Sequence, residues 1–231
     1  MKKHTYLIVS SAILLLFIVF TILVKTIDVH YIYNNTYLGF YTLNFNFGNW
    51  AVNFGKYNGM RLISDIILYV GIGYSGLILV FGVVQLIRLK SLKLLNKRYF
   101  LLLGAYLLIA ILYLFFEVVK VNYSPDSSAT HLKPSYPSTH VFIGCALFLF
   151  NSYTAIKLLD PEKKWFIDLI YVSTGLICLL LVFTRLLSLK HWLTDIIGAI
   201  LLVSFVYTLF IYISHRTLPT QKEEVSEEPQ I

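Results

Sequence analysis

The sequence predicts an all-α membrane protein, with six transmembrane helices packed in one bundle. The 231-residue chain is 58% hydrophobic and only 13% charged, and its mean hydropathy of +0.73 exceeds what a soluble domain needs. Six apolar runs are each long enough to cross the hydrocarbon core of a bilayer. We expect one membrane domain at residues 1–214, followed by a disordered acidic tail at 215–231. The six runs cover residues 6–24, 62–87, 99–119, 140–159, 165–184 and 192–213.

The first apolar run is expected to remain in the protein as a helix. It is longer than the core of a signal peptide, and no small-residue cleavage site follows it. Residues 25–60 then form a polar, aromatic-rich segment outside the membrane core. Aromatic rings interleaved with asparagine and glycine are typical of a belt in the lipid headgroup layer. We favour that interpretation over a dedicated lipid-entry feature.

The second run contains a glycine pattern that formally matches a dinucleotide-binding fingerprint, Gly71-x-Gly73-x-x-Gly76. A nucleotide site of this kind needs a strand before the glycines, whereas these glycines lie in the middle of a predicted transmembrane helix. Small residues that let helices approach each other explain the pattern better. The sequence therefore predicts no cofactor.

The lysine and arginine residues predict how the protein lies in the membrane. Twelve of the 19 fall on one side of the predicted bundle and seven on the other, so we expect both termini in the cytoplasm. We further expect the protein to lie in the plasma membrane. The net charge of +7 reflects this topology and an anionic substrate, and it gives no indication of nucleic-acid binding. The seven outer residues are Lys25, Lys56, Arg61, Lys120, Lys133, Arg185 and Lys190.

A short motif, Pro137-Ser138-Thr139-His140, leads directly into the fourth apolar run. Proline suits the point where a chain enters a helix, and Ser138 is a favourable N-cap. The backbone amides of Thr139 and His140 would then be free to bind an anion beyond the helix N-terminus.

A second motif joins the fifth and sixth runs and reads Arg185-x5-His191-x3-Asp195. Charged groups at a membrane boundary are costly and usually functional. The guanidinium of Arg185 presents a planar set of donors that suits a phosphoryl group. In a helix, His191 and Asp195 would share one face, and the carboxylate could hold the imidazole in one tautomer.

The residues alone leave three interpretations of the histidines open. They could be interfacial side chains without a function, or His140, His191 and Asp195 could bind zinc. They could also form a phosphate site without a metal. We favour the phosphate site, because the neighbouring arginine and lysine side chains would repel a metal ion.

Together, the two motifs resemble those of the type 2 phosphatidic acid phosphatase (PAP2) superfamily. The resemblance implies that His191 attacks phosphorus and becomes transiently phosphorylated, while Asp195 orients it. It also implies that His140 protonates the leaving group and later activates water. Arg185, Ser138 and the amide of Thr139 would stabilise the charge on the phosphoryl oxygens. No metal ion and no cofactor are implied.

The first motif of that family is altered in this chain. The best-fitting register places Glu117 and Ser124 where the family has a lysine and an arginine. Lys120 and Lys133 are the candidates to supply the missing charge. We expect Glu117 to pair with Lys120 three residues later, which leaves Lys133 as the favoured phosphate-binding residue.

We therefore expect a membrane phosphatase with its site on the extracytoplasmic face, acting on a lipid phosphomonoester or on a lipid or isoprenyl diphosphate. Its partners would be that lipid phosphate and the surrounding membrane lipids. The alternative is a degenerate relative that binds or transports lipid without catalysis, which the altered first motif favours. The sequence leaves the lipid and the oligomeric state open.

Overall fold

The computed structural model describes residues 3–33, 36–53, 57–127, 131–159 and 163–218. Within these ranges the protein forms seven α helices and one antiparallel pair of short strands. In chain order, the elements are α1 (Lys3–Thr26), β1 (His30–Tyr33), β2 (Thr36–Leu38), α2 (Tyr41–Asn53), α3 (Tyr57–Leu89), α4 (Lys97–Val118), α5 (Thr139–Leu159), α6 (Lys164–Leu187) and α7 (Leu193–Thr217).

Six of the helices in the described ranges are long and apolar enough to cross a membrane, namely all except α2. The predicted fold class, a six-helix integral membrane protein, is therefore confirmed. The helices extend a few residues past most of the predicted runs, because polar and charged residues can continue a helix beyond the hydrocarbon core. The longest extension is at α3, which begins at Tyr57 rather than at residue 62.

The segment between α1 and α3 is more ordered than a simple aromatic belt. The strands β1 and β2 form a hairpin, and α2 follows it directly. Gly39 lies between the hairpin and α2, where a Cβ atom would come within 1.7 Å of the carbonyl oxygen of Val24. Only glycine allows the chain to pass this close to the end of α1.

The side chain of Asn44 connects α2 to the beginning of α7. Asn44 is fully buried, and its side-chain amide donates to the carbonyl oxygen of Gly39 (2.9 Å). The amide oxygen of Asn44 accepts a hydrogen bond from the backbone amide of Thr194 (3.2 Å). This places α2 over the segment that carries the second motif.

The helix α5 forms the centre of the bundle. Its most apolar 18-residue window is 78% buried, whereas no other spanning helix exceeds 39%. Three consecutive polar side chains near its end each bond to a neighbouring helix, which satisfies them away from water. These bonds join Asn151 to Ser75 of α3 and Tyr106 of α4, Ser152 to Thr174 of α6, and Tyr153 to Ser214 of α7.

The helices alternate in direction, so one end of the bundle collects the functional motifs. The beginning of α1 lies beside the end of α7, where the rings of Tyr6 and His215 are 5.2 Å apart. At the other end, Arg185 near the end of α6 contacts Ser64 near the beginning of α3. We call this second end the motif end. It contains the ends of α1, α4 and α6 and the beginnings of α3, α5 and α7.

Two sequence predictions about individual segments are refined by the structure. The helix α7 continues through Thr217, so residues 215–217 are helical rather than part of a tail, and residues 219–231 lie outside the described residues. In the glycine pattern of α3, a Cβ atom on Gly71 would lie 3.1 Å from the ring of Phe148, which indicates a close helix contact. Gly73 and Gly76 have no described neighbour within 4 Å, so close packing explains only the first glycine.

Candidate active site

The two motifs meet at the motif end through a backbone hydrogen bond. Ser138 is fully buried just before α5, and its backbone amide donates to the carbonyl oxygen of Asp195 (3.0 Å). Its carbonyl oxygen accepts the first helical bond, from Phe142, so Ser138 occupies the N-cap position. The predicted side-chain cap is absent, because the Ser138 hydroxyl has no hydrogen-bond partner within the described residues. Thr139 follows as the first, half-buried residue of α5.

His191 is held by the loop between α4 and α5. Its Nδ1 atom lies 2.9 Å from the carbonyl oxygen of Ser135, and its side chain is 8% exposed. Because a carbonyl oxygen can only accept, this contact assigns the hydrogen to Nδ1. The Nε2 atom then carries the lone pair, which is the state that a nucleophilic imidazole needs.

Asp195 serves His191 less directly than the sequence suggested. The helix α7 begins only at Leu193, so His191 precedes the helix, and its Nδ1 lies 3.7 Å from the nearer carboxylate oxygen of Asp195. The fully buried carboxylate instead accepts hydrogen bonds from the backbone amide of Trp192 (3.0 Å) and the side-chain amide of Asn122 (3.1 Å). Ser135 therefore orients the ring, while the charge of Asp195 is near enough to stabilise an imidazolium.

Arg185 projects into the site from the last turn of α6, with a side chain that is 7% exposed. One terminal nitrogen donates to the hydroxyl of Ser64 (3.2 Å) and lies 3.4 Å from a carboxylate oxygen of Asp65. The Nε atom is buried and has no partner in the described part of the chain. A buried donor left unpaired costs about 1–3 kcal/mol, so this nitrogen is available to a ligand.

His140 and Asp65 form a contact that the sequence analysis missed. The Nε2 atom of His140, in the first turn of α5, lies 3.0 Å from a carboxylate oxygen of Asp65 on α3. The signal for it was present, because Arg61 and Asp65 are two charges at helical spacing at the edge of an apolar run. It was passed over because no motif surrounds them.

Lys133 and Lys190 both pair with the carboxylate of Asp126. The Nζ atom of Lys133 lies 3.5 Å from Asp126, and Lys190 bonds to the same oxygen. The hydrogen bond from Lys190 holds the pKa of Asp126 below its usual value. Ser124 also contributes here, since its hydroxyl donates to the carbonyl oxygen of Lys190 (2.7 Å). Lys133 is thus engaged within its own loop rather than extended toward His191.

The other two residues considered for the altered family motif are Lys120 and Glu117. Lys120 is exposed beyond the end of α4, and Glu117 is exposed near Tyr113. The predicted ion pair between Glu117 and Lys120 is wrong, since none joins them among the residues that the structure describes. Lys120 is also not among the described residues lining the cavity beside His191.

That cavity, of about 470 Å³, opens between α2 and the segment 188–192. Its α2 wall includes Phe45, Gly48 and Val52, and His191 and Trp192 line the opposite side. Asp126 and Lys190 add polar groups at its margin. The arrangement offers space beside His191 for a partly apolar molecule with a charged group.

Buried polar atoms without a partner are concentrated at the site. Five such side-chain atoms occur among the described residues, and four of them belong to the two motifs or to the loop between α4 and α5. Native proteins pair nearly all buried polar groups, so a local cluster of unpaired ones indicates a binding site. The four are Asn122 Oδ1, Ser135 Oγ, Ser138 Oγ and Arg185 Nε. No group of three or more His, Cys, Asp or Glu side chains in the described ranges could hold a metal ion.

The six spanning helices and the paired motifs define a polytopic membrane protein with its functional residues at one end of the bundle. Residues 115–219 match the family model of the PAP2 superfamily, which confirms the resemblance. The structure resembles the crystal structure of a transmembrane PAP2-type phosphatidylglycerolphosphate phosphatase from Bacillus subtilis, with a TM-score of 0.65 and 16% sequence identity over 92% of this chain and 98% of that chain. No curated protein matches the chain. The protein therefore has the fold of a PAP2 superfamily membrane phosphatase.

Proposed function

We propose that this protein is an integral membrane phosphatase that hydrolyses a lipid phosphomonoester, or a lipid or isoprenyl diphosphate, through a phosphohistidine. The observation that carries the proposal is the state of His191. Its Nδ1 atom is bound to the carbonyl oxygen of Ser135, so Nε2 has a free lone pair. Unpaired buried donors on Ser138 and Arg185 lie in the same site.

In the first step, Nε2 of His191 attacks phosphorus and the bond from phosphorus to the leaving oxygen breaks. The leaving oxygen takes a proton from Nε2 of His140, in the first turn of α5. The imidazolium of the phosphohistidine keeps its Nδ1 hydrogen on Ser135, and the Asp195 charge stabilises it. Arg185 and Ser138 bind the phosphoryl oxygens, on which negative charge accumulates.

In the second step, water replaces histidine on phosphorus. His140, now neutral, takes a proton from the attacking water, and the bond from phosphorus to Nε2 breaks. Inorganic phosphate leaves, and both histidines regain their starting protonation states. The step needs no metal ion, so we expect turnover to survive chelators.

The position of the site supports a lipid substrate. His140 and Arg185 lie in the terminal turns of helices that are long enough to span the bilayer, so the reacting phosphate would lie at headgroup depth. The apolar wall of the cavity beside His191 suits the first carbons of a lipid. The charge bias of the connecting segments favours the extracytoplasmic face.

Phosphate release by the purified protein tests this function. Phosphatidic acid, phosphatidylglycerol phosphate and an isoprenyl diphosphate form the substrate panel, with a chelator present throughout. We expect release from at least one of them and a fall of at least about a thousandfold in His191→Ala. Brief exposure to labelled substrate should also leave an acid-labile phosphoenzyme that His191→Ala cannot form.

His4→Ala is the matched control, because His4 is an exposed histidine at the opposite end of the bundle. Its turnover should equal that of the unaltered protein. Equal turnover in His191→Ala, or inactivation by chelator that zinc reverses, would contradict the mechanism.

One observation favours a second candidate, a lipid-binding relative without turnover. Ser124 and Glu117 stand where the resembled family has cations, yet Ser124 is neutral and bonds to the carbonyl oxygen of Lys190, and Glu117 is an exposed anion. Saturable binding of a phosphorylated lipid without phosphate release from any member of the panel would support this candidate instead.

A further inference from the structure

The first turns of α3 bring three polar side chains to the site that belong to neither motif. Ser64 is fully buried, donates its hydroxyl hydrogen to the carbonyl oxygen of Arg61 (2.7 Å) and accepts a hydrogen bond from Arg185 (3.2 Å). The next residue, Asp65, lies between Arg61, Arg185 and His140. This helix therefore supplies one side of the phosphate site.

The carboxylate of Asp65 occupies two of the donors that a phosphoryl group would need. One of its oxygens lies 3.0 Å from His140 Nε2 and 3.4 Å from a terminal nitrogen of Arg185. Carboxylate and phosphoryl oxygens accept from the same guanidinium and imidazole hydrogens. Two anions cannot share these donors without strong repulsion, so a bound phosphoryl group and Asp65 in this position exclude each other.

The carboxylate of Asp65 has an alternative partner, the guanidinium of Arg61. Its other oxygen lies 3.9 Å from Nε of Arg61, one helical turn earlier. The side chains of Asp65 and Arg61 are 31% and 53% exposed, whereas that of Arg185 is 7% exposed. A rotation of the carboxylate toward Arg61 would therefore release the buried donors and leave Arg185 and the backbone in place.

We propose that Asp65 is a built-in competitor for the phosphate site, and that Arg61 holds its carboxylate when substrate enters. This inference rests on the proposed function and assigns the selectivity of the same site. A terminal phosphate carries up to two negative charges and can displace a single carboxylate. A phosphodiester carries only one negative charge, so it competes with a tethered carboxylate of equal charge. The site then rejects the phosphodiester lipids that surround it and accepts terminal phosphates, because the carboxylate of Asp65 competes with the weaker anion.

Asp65→Asn is the variant that tests the competitor. It preserves the shape and an acceptor for Arg185, and it removes the charge. The readouts are inhibition constants for a short-chain phosphatidylglycerol, a phosphodiester, and for vanadate, a phosphate mimic. We expect Asp65→Asn to bind the diester about tenfold more tightly, since one charged hydrogen-bonded competitor is gone, and vanadate at least as well as before.

Arg61→Gln tests the second half of the proposal and should have the opposite effect. Without Arg61, the carboxylate stays on Arg185 and His140, so vanadate and the diester should both bind more weakly. In the Asp65→Asn background, Arg61→Gln should have no further effect, because no carboxylate remains to be held. Arg88→Gln and Asp168→Asn are the matched controls, since both residues are exposed at the other end of α3 and α6.

Two results would overturn the proposal. If Asp65→Asn leaves the diester affinity unchanged or weakens vanadate binding, Asp65 only supports Arg185. If the Arg61→Gln effect is the same with and without Asp65, Arg61 contacts the phosphate itself.

Calorimetric titration with the same two ligands separates this inference from the proposed function. A protein that releases no phosphate but shows the expected affinity pattern contradicts the phosphatase and retains the competitor. A protein that turns over normally with an unchanged pattern contradicts the competitor alone.

Discussion

Backbone groups fix the residues of the site more than side-chain pairs do. The carbonyl oxygen of Ser135 orients His191, and the carbonyl oxygen of Asp195 anchors the amide of Ser138. The carbonyl oxygen of Lys190 accepts from Ser124. Backbone atoms move less than long side chains, so these bonds set the distances between the reacting groups before substrate arrives.

This arrangement changes the role expected of Lys133. A lysine that contacted the phosphate directly would cost about 10²–10³ in kcat/KM when removed. Lys133 instead shares Asp126 with Lys190, and its side chain is 48% exposed. We therefore expect Lys133→Ala to lower kcat/KM by less than about tenfold, as for an exposed ion pair. Lys157→Ala, at the opposite end of the bundle, is the control, and a hundredfold loss would restore Lys133 as a phosphate ligand.

Ser124→Arg would rebuild the cation of the usual first motif, yet we expect it to lower activity. The Ser124 hydroxyl is 2.7 Å from the carbonyl oxygen of Lys190, and the residue is only 7% exposed. An arginine there would break the bond that holds the residue next to His191. The measurement is kcat in purified protein beside Ser91→Arg, a turn position remote from the site. Higher turnover in Ser124→Arg would show that the pocket lacks a cation.

At the scale of elements, the loop before α5 is held by contacts with α1 and α7. Tyr136 is 2% exposed, its hydroxyl bonds to Thr21 of α1 (2.7 Å), and its ring stacks with Phe17. A Cβ atom on Gly198 of α7 would lie only 2.5 Å from this ring. Gly198 therefore provides the space for Tyr136, next to the residues that hold His191.

Gly198→Ala should displace the loop and reduce turnover. The ring of Tyr136 has no free side on which to yield, so Ser135 and Ser138 must shift with it. A shift of this kind can cost about a hundredfold in kcat. Gly104→Ala is the matched control, because a Cβ atom on Gly104 has no described neighbour within 4 Å. If Gly198→Ala keeps normal kcat while Tm falls, the glycine serves packing alone.

The sequence analysis predicted the features that depend on residues close together along the chain. Six apolar runs predicted the spanning helices, which the structure confirms, and fixed spacings singled out His140, Arg185, His191 and Asp195, whose roles stay predictions. Asp65 and Ser135 were missed, because they meet their partners 75 to 120 and 56 positions away only in the folded bundle. The helix α2 was missed as well, since its asparagines interrupt any apolar run and its stability comes from the contact between Asn44 and α7.

At the scale of the whole molecule, the alternating helices place all motif residues on one side of the membrane. We expect that side to be extracytoplasmic, because the lysine and arginine residues are more numerous at the other end. After replacement of Cys145 and Cys178, Asn46→Cys on α2 should react with an impermeant thiol reagent in intact cells, and Lys93→Cys should not. Both positions are exposed, so the reverse labelling pattern would place the site in the cytoplasm.

The pairing of α1 with α7 constrains how the protein can be made. The two helices touch where the ring of Tyr6 lies against that of His215 and where the hydroxyl of Ser10 donates to the carbonyl oxygen of Phe205. During synthesis, α1 enters the bilayer before α7 has been made. Until then, the α7-facing surface of α1 contacts lipids or temporary partners. The bundle closes only when the last helix arrives, so truncation before α7 would leave α1 without its native neighbour and expose it to membrane quality control.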